Sequence, residues 1–409
     1  IWLGLVGSEM CIRDRGVMAR MCDRLHVMRF GEYVEEGHVE EIFYNPQHPY
    51  TKMLLDSMPR IDNPDQAGHR KLKPITETQT GTDFLVVEDV RVGFNIRVGG
   101  GIWPKKLPLK AVDGVSFTLR EGETLGIVGE SGCGKSTLAR AILQLIPLTQ
   151  GTVTWLGKPL SGLKKTELKD KRKDLQIVFQ DPLASLDPRM TISSSIMEPL
   201  VTFAGHLSKS QMKECVMIMI DRVGLNRNMI NRYPHELSGG QNQRVGIARA
   251  MIMQPKLVIC DEAVSALDVS VQAQIIQLLI DLQEEFKLSI LFISHDLAVV
   301  REVSHRIMVL YLGTVVELAE SKVIYENPIH PYTQQLISAV PVPDPKIERA
   351  RKSIKIPGEL PSPMDPTAQL KFLPSKSTQA AQGYKPQLIE HSHGHYVAEH
   401  DLLETLLEK

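Results

Sequence analysis

A nine-residue segment, Gly129–Thr137, has the residue types and the spacing of a phosphate-binding loop. Its sequence, GESGCGKST, fits G-x-x-x-x-G-K-[ST], with the apolar stretch Leu125–Val128 before it and a helix-forming stretch after it. Glycines allow the backbone to curl so that successive N–H groups face an anion. We expect Lys135 to reach the β- and γ-phosphates of ATP and the Ser136 hydroxyl to ligate Mg²⁺. The predicted ATP-contacting residues of this loop are Gly129, Glu130, Ser131, Gly132, Cys133, Gly134, Lys135, Ser136 and Thr137.

Four more polar residues directly follow apolar stretches that are typical of buried strands. Asp261 and Glu262 follow KLVIC, Gln180 follows LQIVF, and His295 follows SILFIS. Ligands of open α/β sheets bind at the carboxyl ends of the strands, so these residues can share one site. We expect Asp261 and Gln180 to join Ser136 around Mg²⁺, Glu262 to orient or deprotonate the attacking water, and His295 to bond the γ-phosphate. Each residue alone also fits a polar strand end, and only the combination favours catalysis.

A second candidate anion site lies at LSGGQ, formed by Leu237, Ser238, Gly239, Gly240 and Gln241. Serine is a preferred N-cap residue, and two glycines expose backbone N–H groups at the start of a helix. An ordinary capped helix also explains the pattern. Because one nucleotide loop needs no second phosphate site, we expect this segment to serve ATP bound on another module, so that two modules enclose the nucleotide.

The elements around these residues predict an α/β phosphate-loop (P-loop) NTPase. The stretches FLVVEDVRVGF and LKAVDGVSFTLREGETLGIVG alternate apolar and polar residues, which indicates an antiparallel β-subdomain. The insertion NIRVGGGIWPKKLP between them is expected to be an exposed loop. Residues 182–250 have helical spacing and predict an α-helical subdomain. Strand, helix and strand then alternate over residues 257–293, which predicts a parallel core sheet.

The chain repeats part of itself. Residues 303–344 align without a gap on residues 21–62, and NPIHPYT recurs as NPQHPYT. We interpret residues 16–62 as the C-terminal remnant of a first module, residues 63–81 as a polar linker and residues 82–344 as one complete module. Residues 345–409 are then a C-terminal extension. Residues 1–15 have no counterpart in the second copy, and we interpret them as foreign sequence.

Composition sets limits on the partners. The chain has 47 Lys and Arg against 48 Asp and Glu, so it lacks the basic excess typical of general nucleic-acid binding. Its five cysteines form no C-x-x-C pair, which indicates reduced thiols. No apolar run approaches the ~18 residues of a membrane-spanning helix. Any membrane role must therefore come through a partner.

The motifs in this order resemble the nucleotide-binding domains of ABC ATPases: GESGCGKST, Gln180, LSGGQ, CDE, SALD (Ser265–Asp268) and His295. More narrowly, VFQDPLASLDPRMTI and NPxHPYTxxL resemble the oligopeptide/dipeptide permease ATPases of bacteria. The resemblance implies that the chain hydrolyses ATP to power peptide import. It also implies that the chain lies peripherally at the cytoplasmic face of the inner membrane. It also implies two membrane permease subunits, indirectly a substrate-binding protein, and a second ABC module as partners. That module is a second copy of this chain, a different chain or the missing first half of a tandem. No nucleic-acid partner is implied. The alternative is a soluble ABC ATPase that acts on nucleic acid or ribosomes.

The same resemblance assigns further residues. It places Phe94 as the aromatic residue that stacks on adenine, with Trp103 as the competing candidate, and it places Asp268 at the contact with the opposite module. The transported molecule is not encoded here, because such an ATPase does not touch it.

Three departures from the family pattern stand out. Ala263 replaces a common Pro, and Asn242 replaces a common Arg after LSGGQ; we expect both to be tolerated. Leu370 and Lys376 stand where relatives often have cysteines, so a thiolate cluster is excluded there. In the same extension His391, His393 and His395 alternate and could face one way on a strand, and a solvated tail is favoured over a metal site there.

Overall fold

The computed structural model describes residues 15–58, 72–73, 83–98, 105–357, 361–365 and 367–407. In chain order the strands are β1 (Arg24–Arg29), β2 (Glu32–His38), β3 (Asp83–Val98), β4 (Lys105–Arg120), β5 (Thr124–Val128), β6 (Gln150–Trp155), β7 (Lys158–Pro159), β8 (Leu175–Val178), β9 (Leu257–Asp261), β10 (Ser289–Ile293), β11 (Arg306–Tyr311), β12 (Thr314–Glu320), β13 (Leu388–Ser392) and β14 (His395–Ala398). The α-helices are α1 (Arg15–Met21), α2 (Val39–Tyr44), α3 (Pro49–Asp56), α4 (Lys135–Ile142), α5 (Lys165–Lys171), α6 (Ile192–Phe203), α7 (Lys209–Arg222), α8 (Gly239–Met251), α9 (Val269–Phe286), α10 (Leu297–Val303), α11 (Ser321–Glu326), α12 (Pro331–Ala339), α13 (Pro345–Ala350) and α14 (Leu403–Leu407). Short 3-10 helices lie at Arg227–Met229, Pro234–Glu236, Ala368–Leu370 and Pro374–Gln382.

The central sheet has eight strands in the order β13-β14-β12-β11-β5-β10-β9-β8. Strands β11, β5, β10, β9 and β8 pair in parallel, and β12, β14 and β13 continue the sheet in antiparallel pairs. Strands β5, β9 and β10 are buried along their whole length, because helices cover both faces of a parallel sheet. The predicted α/β fold with a parallel core sheet is confirmed.

A second sheet, ordered β4-β3-β6-β7, is antiparallel throughout. The expectation of an exposed loop over residues 95–108 is wrong for most of that segment. Strand β3 continues to Val98 and β4 begins at Lys105, with Asn95 opposite Pro108 and Ile96 opposite Leu107. The alternating residues on each side of the glycines extend the hairpin, since they continue the period of two.

Helices α6, α7 and α8 lie in the stretch that the sequence predicts to be helical. Each begins at a hydroxyl N-cap, where Thr191, Ser208 or Ser238 accepts a backbone N–H of the first turn. Caps of this type satisfy N–H groups that the helix itself cannot pair. Helix α8 packs on α6 and on β8, which attaches this helical region to the edge of the parallel sheet.

The repeated sequence folds twice into the same local structure. Elements β1, β2, α2 and α3 begin 282 positions before β11, β12, α11 and α12, and both hairpins carry a bulge at the equivalent place. The residues at the hairpin turns, Phe30 and Leu312, both adopt positive φ, at 51° and 44°. The two copies differ in their surroundings, since Met28 is 50% exposed whereas its counterpart Leu310 is 1% exposed.

The first copy packs against the region after the second. Helix α1 contacts α13, and Ala19 on α1 is fully buried. The Tyr44 hydroxyl donates to Asp344 at 2.6 Å, and the Arg349 guanidinium donates to the backbone carbonyl of Cys22 at 2.8 Å. Of the predicted linker only residues 72 and 73 are described, and residues 1–14 lie outside the described ranges.

The C-terminal hairpin β13–β14 adds two strands to the central sheet through β12. The expectation that His391, His393 and His395 share one strand of a solvated tail is wrong for His395, whereas His391 and His393 are exposed. A turn at Gly394, with φ 73°, separates the two strands, and the buried His395 bonds the Glu317 carboxylate at 2.8 Å. In the part of the chain that the structure describes, no group of three or more His, Cys, Asp or Glu is placed to hold a metal ion. None of the helices described here combines the length and apolar character that a membrane crossing requires.

Candidate active site

The phosphate loop emerges from the buried strand β5 and ends where α4 begins at Lys135. Two of its glycines are required by geometry. Gly129 and Gly134 adopt φ values of 149° and 105°, and a Cβ atom on either would lie 2.2 Å or less from the carbonyl oxygen of Leu310 or Ala111. The loop is thus pressed between β11 and β4, and no residue with a side chain fits at these two positions.

Lys135 is buried and its ammonium lies inside the curl of the loop. Nζ donates to the carbonyl oxygens of Gly129 at 2.7 Å and Glu130 at 2.9 Å. The Cys133 Sγ lies 3.8 Å from the same nitrogen, and burial raises the pKa of that thiol. The cation therefore sits where phosphate oxygens are expected, held by neutral carbonyls that an anion can displace. Of the remaining loop residues, Ser131 and Gly132 are exposed at the tip, and Thr137 is half-buried in α4.

Ser136 and Asp261 come together at the end of β9, since the Ser136 hydroxyl donates to the Asp261 carboxylate at 2.7 Å. Asp261 is 2% exposed, and this burial raises its pKa, while the bond from Ser136 opposes the shift. A hydroxyl oxygen beside a carboxylate oxygen is the kind of hard donor pair that Mg²⁺ accepts. The residues present therefore fit the predicted ion.

Glu262 is the point at which Gln180 and His295 meet. Its Oε2 accepts from Gln180 Nε2 at 2.9 Å and lies 3.4 Å from His295 Nδ1. The bond to His295 lowers the pKa of Glu262, and the same bond raises the pKa of His295. Glu262 also has a φ of 50°, in the left-handed region that side chains other than glycine avoid. The structure thus brings together three residues that follow three separate strands, with Gln180 and His295 on either side of the Glu262 carboxylate.

The LSGGQ segment forms a capped helix start. Ser238 Oγ accepts the backbone N–H of Gln241 at 3.3 Å, and the Gln241 side chain accepts the N–H of Ser238 at 3.0 Å. Leu237 precedes this capping box, and Gly239 and Gly240 form the first turn of α8. Across the described ranges, no hydrogen bond or ion pair joins this segment to the phosphate loop.

Asp268 and Asn242 support the elements beside LSGGQ. The Asp268 carboxylate caps α9 by accepting from Val271 N at 3.0 Å. Asn242, which stands where the family commonly has Arg, is buried and donates to the carbonyl of Pro234 at 2.9 Å. Asn242 therefore has a local structural role.

Phe94 lies on the extended hairpin opposite Leu109 and is 42% exposed. Strand β4 continues from there to Ala111, whose carbonyl lies against the phosphate loop. Phe94 therefore lies on β3, the partner of the strand β4 that borders the phosphate loop. The competing candidate, Trp103, lies outside the described residues.

Sequence reasoning missed one residue at the loop. The hydroxyl of Tyr332, in the second HPYT motif, accepts the backbone N–H of Glu130 at 3.1 Å. The recurrence of HPYT was the available signal, but a local pattern does not indicate a contact across 202 positions.

The fold and these contacts define a class. A phosphate loop between a parallel sheet and a helix, with Ser136 against Asp261 and a carboxylate beside it, is the site of a P-loop nucleoside triphosphatase.

Comparison with known proteins narrows this class. The family model described as ABC transporter matches residues 112–265. The model described as oligopeptide/dipeptide transporter, C-terminal region, matches twice, at residues 34–84 and 316–374. The oligopeptide transport ATP-binding protein OppF of Salmonella typhimurium is 56% identical over 290 residues, which are 71% of this chain and 87% of that protein. The chain belongs to the ABC transporter family of ATP-binding proteins, and it is an ATPase subunit of a transporter.

Two further comparisons agree with this assignment. The glutathione import ATP-binding protein GsiA of Pectobacterium atrosepticum is 45% identical over 366 residues, which are 86% of this chain and 58% of that protein. The solved bacterial ABC transporter cassette MJ0796, described as dimeric, superposes with a TM-score of 0.52 at 29% identity and covers 58% of this chain and 98% of that one. These relatives support a transporter ATPase over a soluble protein that acts on nucleic acid or ribosomes.

Proposed function

We propose that the chain hydrolyses ATP to power the import of di- or oligopeptides through partner membrane subunits. The observation that carries this proposal is an intact nucleotide site joined to a region that matches the C-terminal region of oligopeptide/dipeptide transporters. The relatives are named for oligopeptide transport and glutathione import, and glutathione is itself a small peptide. The chain would act peripherally at the cytoplasmic face of the inner membrane, with the loop after Gln180 against two permease subunits.

The site residues suggest how hydrolysis proceeds. The phosphate loop and Lys135 hold the phosphates, and Ser136 and Asp261, with Gln180, would hold Mg²⁺. When bound, the ion neutralises charge that develops on the phosphate oxygens. Glu262 takes a proton from the attacking water, so that the oxygen–phosphorus bond forms as the γ-phosphate leaves ADP. Gln180 and His295 hold the Glu262 carboxylate in position through the two contacts described above.

The second half of the site would come from another module. The Leu237–Gln241 helix start presents N–H groups but makes no described contact with the loop of its own chain. We propose that it faces ATP bound on a second module, with Asp268 at the same contact. Residues 16–62 contain neither motif, so they cannot supply that partner. The long alignment with GsiA supports the interpretation of these residues as the end of a first cassette.

Mixing two inactive variants tests this arrangement. Glu262→Gln keeps its LSGGQ, and Ser238→Arg keeps its catalytic carboxylate. A mixed dimer therefore has one intact composite site, and we expect the mixture to release phosphate although neither variant does alone. A mixture as inactive as its components would contradict a second copy of this chain as the second module. A wild-type rate per chain that changes neither on dilution nor on addition of another module would contradict the shared site.

The substrate class needs a separate measurement. In proteoliposomes that contain the chain, its permease subunits and the cognate binding protein, we expect ATP-dependent uptake of a labelled tripeptide. Free amino acids and sugars should not be taken up. Uptake of a sugar in preference to the peptide would refute peptide import while leaving the ATPase assignment intact.

A further inference from the structure

We propose that Tyr332 is a positioning residue that holds the phosphate loop in its nucleotide-binding shape from outside the site. Tyr332 is 1% exposed, and its hydroxyl accepts the Glu130 N–H at 3.1 Å. On the other flank of the loop, the carbonyl of Cys133 accepts the Gly313 N–H at 2.8 Å. Two outward-facing backbone groups of the loop are thus anchored to the region after β11. The inference rests on the proposed ATP site in this loop.

A chain of buried polar contacts fixes Tyr332 in place. His330 Nδ1 accepts the Tyr332 N–H at 3.1 Å and so caps α12. The Glu317 carboxylate accepts the N–H groups of Ile329 at 2.8 Å and His330 at 3.1 Å. His395, on the C-terminal hairpin, bonds the same carboxylate at 2.8 Å. The hairpin at the end of the sheet is therefore linked through hydrogen bonds to the first residue after Gly129.

Aromatic packing leaves the ring little freedom. The Tyr332 ring centroid lies 4.8 Å from that of Tyr311 and 5.5 Å from that of Phe372. Tyr311 is also buried, and its hydroxyl donates to the carbonyl of Ala368 at 3.3 Å. The two tyrosines share one cluster and similar burial, but the Tyr332 hydroxyl hydrogen-bonds the phosphate loop whereas the Tyr311 hydroxyl bonds Ala368.

The first copy of the HPYT motif shows that the motif forms without a contact to a phosphate loop. In the first copy His48 accepts the Tyr50 N–H at 3.1 Å, and Glu35 accepts the N–H groups of Gln47 and His48. The capped helix and its carboxylate therefore form where no phosphate loop is present. The Tyr50 ring instead lies 5.0 Å from the Arg29 guanidinium. The tyrosine hydroxyl is thus not needed to build the motif, and in the second copy its partner is the loop.

Tyr332→Phe removes only this hydroxyl, and Tyr311→Phe is the matched control in the same cluster. We expect Tyr332→Phe to weaken ATP and ADP binding about threefold to tenfold, the effect of one net hydrogen bond. Both nucleotides should be affected, because the loop encloses phosphates that they share. In steady-state hydrolysis KM should rise while kcat changes less than twofold. Tyr311→Phe should bind both nucleotides like the wild type, with a Tm close to that of Tyr332→Phe.

Nucleotide affinities from calorimetric titration of the full chain decide the outcome. Equal affinities for the two variants would overturn the role of Tyr332, and so would a loss confined to kcat. A wild-type chain that binds neither nucleotide would instead refute the proposed ATP site itself.

Discussion

Replacing Glu262 with glutamine tests the proposed general base with little change of shape. The glutamine keeps an oxygen for the Gln180 amide, whose distance to Glu262 is 2.9 Å, but it removes the negative charge. General-base catalysis contributes roughly 10²- to 10⁴-fold, so the barrier should rise by about 3–5 kcal/mol. ATP binding should survive, because Lys135 and the phosphate loop are untouched.

The same substitution has a second consequence at His295. Its pKa is raised by the bond to Glu262, so without the carboxylate that pKa should fall towards its ordinary value. The raised pKa of His295 stabilises the fold below about pH 6.5, and this contribution is lost as the pH rises through the folded pKa. The lowered pKa of Glu262 stabilises the fold above about pH 4.3, and this contribution is lost as the pH falls.

Three measurements check this reasoning. Phosphate release gives turnover, titration with ATP gives binding, and the ring-proton NMR shifts of His295 give its pKa. Glu214→Gln, on the exposed side of α7, is the charge-matched control and should behave as the wild type. Turnover of Glu262→Gln within threefold of the wild type would refute the general base. Loss of ATP binding together with turnover would show that Glu262 supports the structure of the site instead.

Two further predictions concern stability. Burial, with His400 nearby, lowers the pKa of His330 to about 3, so the folded state needs a neutral ring. Stability should be full above about pH 6.5 and fall by about 1.4 kcal/mol per pH unit below it, since the unfolded chain takes up the proton. His330→Asn, which keeps a cap acceptor, should remove that slope in urea unfolding between pH 6.5 and 4.5, and an unchanged slope would contradict the assignment. Gly134→Ala should destabilise the chain by about 1–3 kcal/mol more than Gly132→Ala, because both positions have positive φ but only at Gly134 does a Cβ meet a carbonyl, at 2.1 Å. Equal Tm values for the two alanine variants would show that the loop can move away from β4.

Most of the fold could be predicted from local sequence patterns. The buried strands around Asp261 and His295 follow from short apolar runs, and the phosphate loop follows from a motif with a strand before it and a helix after it. The hairpin of β3 and β4 is longer than the sequence predicts. The glycine run indicates a loop, whereas the short alternating stretches on each side of it continue the two strands.

Contacts between distant residues could not be predicted in the same way. His395 bonds Glu317 across 78 positions and Tyr332 reaches Glu130 across 202. Nothing in either local sequence marks its partner. The meeting of Gln180, Glu262 and His295 could be expected only because the carboxyl ends of parallel strands share one edge. The left-handed backbone of Glu262 has no signal in its residue type.

The duplicated HPYT segment has a consequence for counting ATP-binding cassettes from sequence. Its helix cap, its buried threonine and its carboxylate acceptor are all encoded within some forty residues, and both copies form them. The segment therefore forms the same local structure in both places, although only the second copy follows a phosphate loop. A match to this region therefore does not by itself indicate a phosphate loop. The number of working ATPases must be counted from the phosphate loops instead, and in this chain the two counts differ.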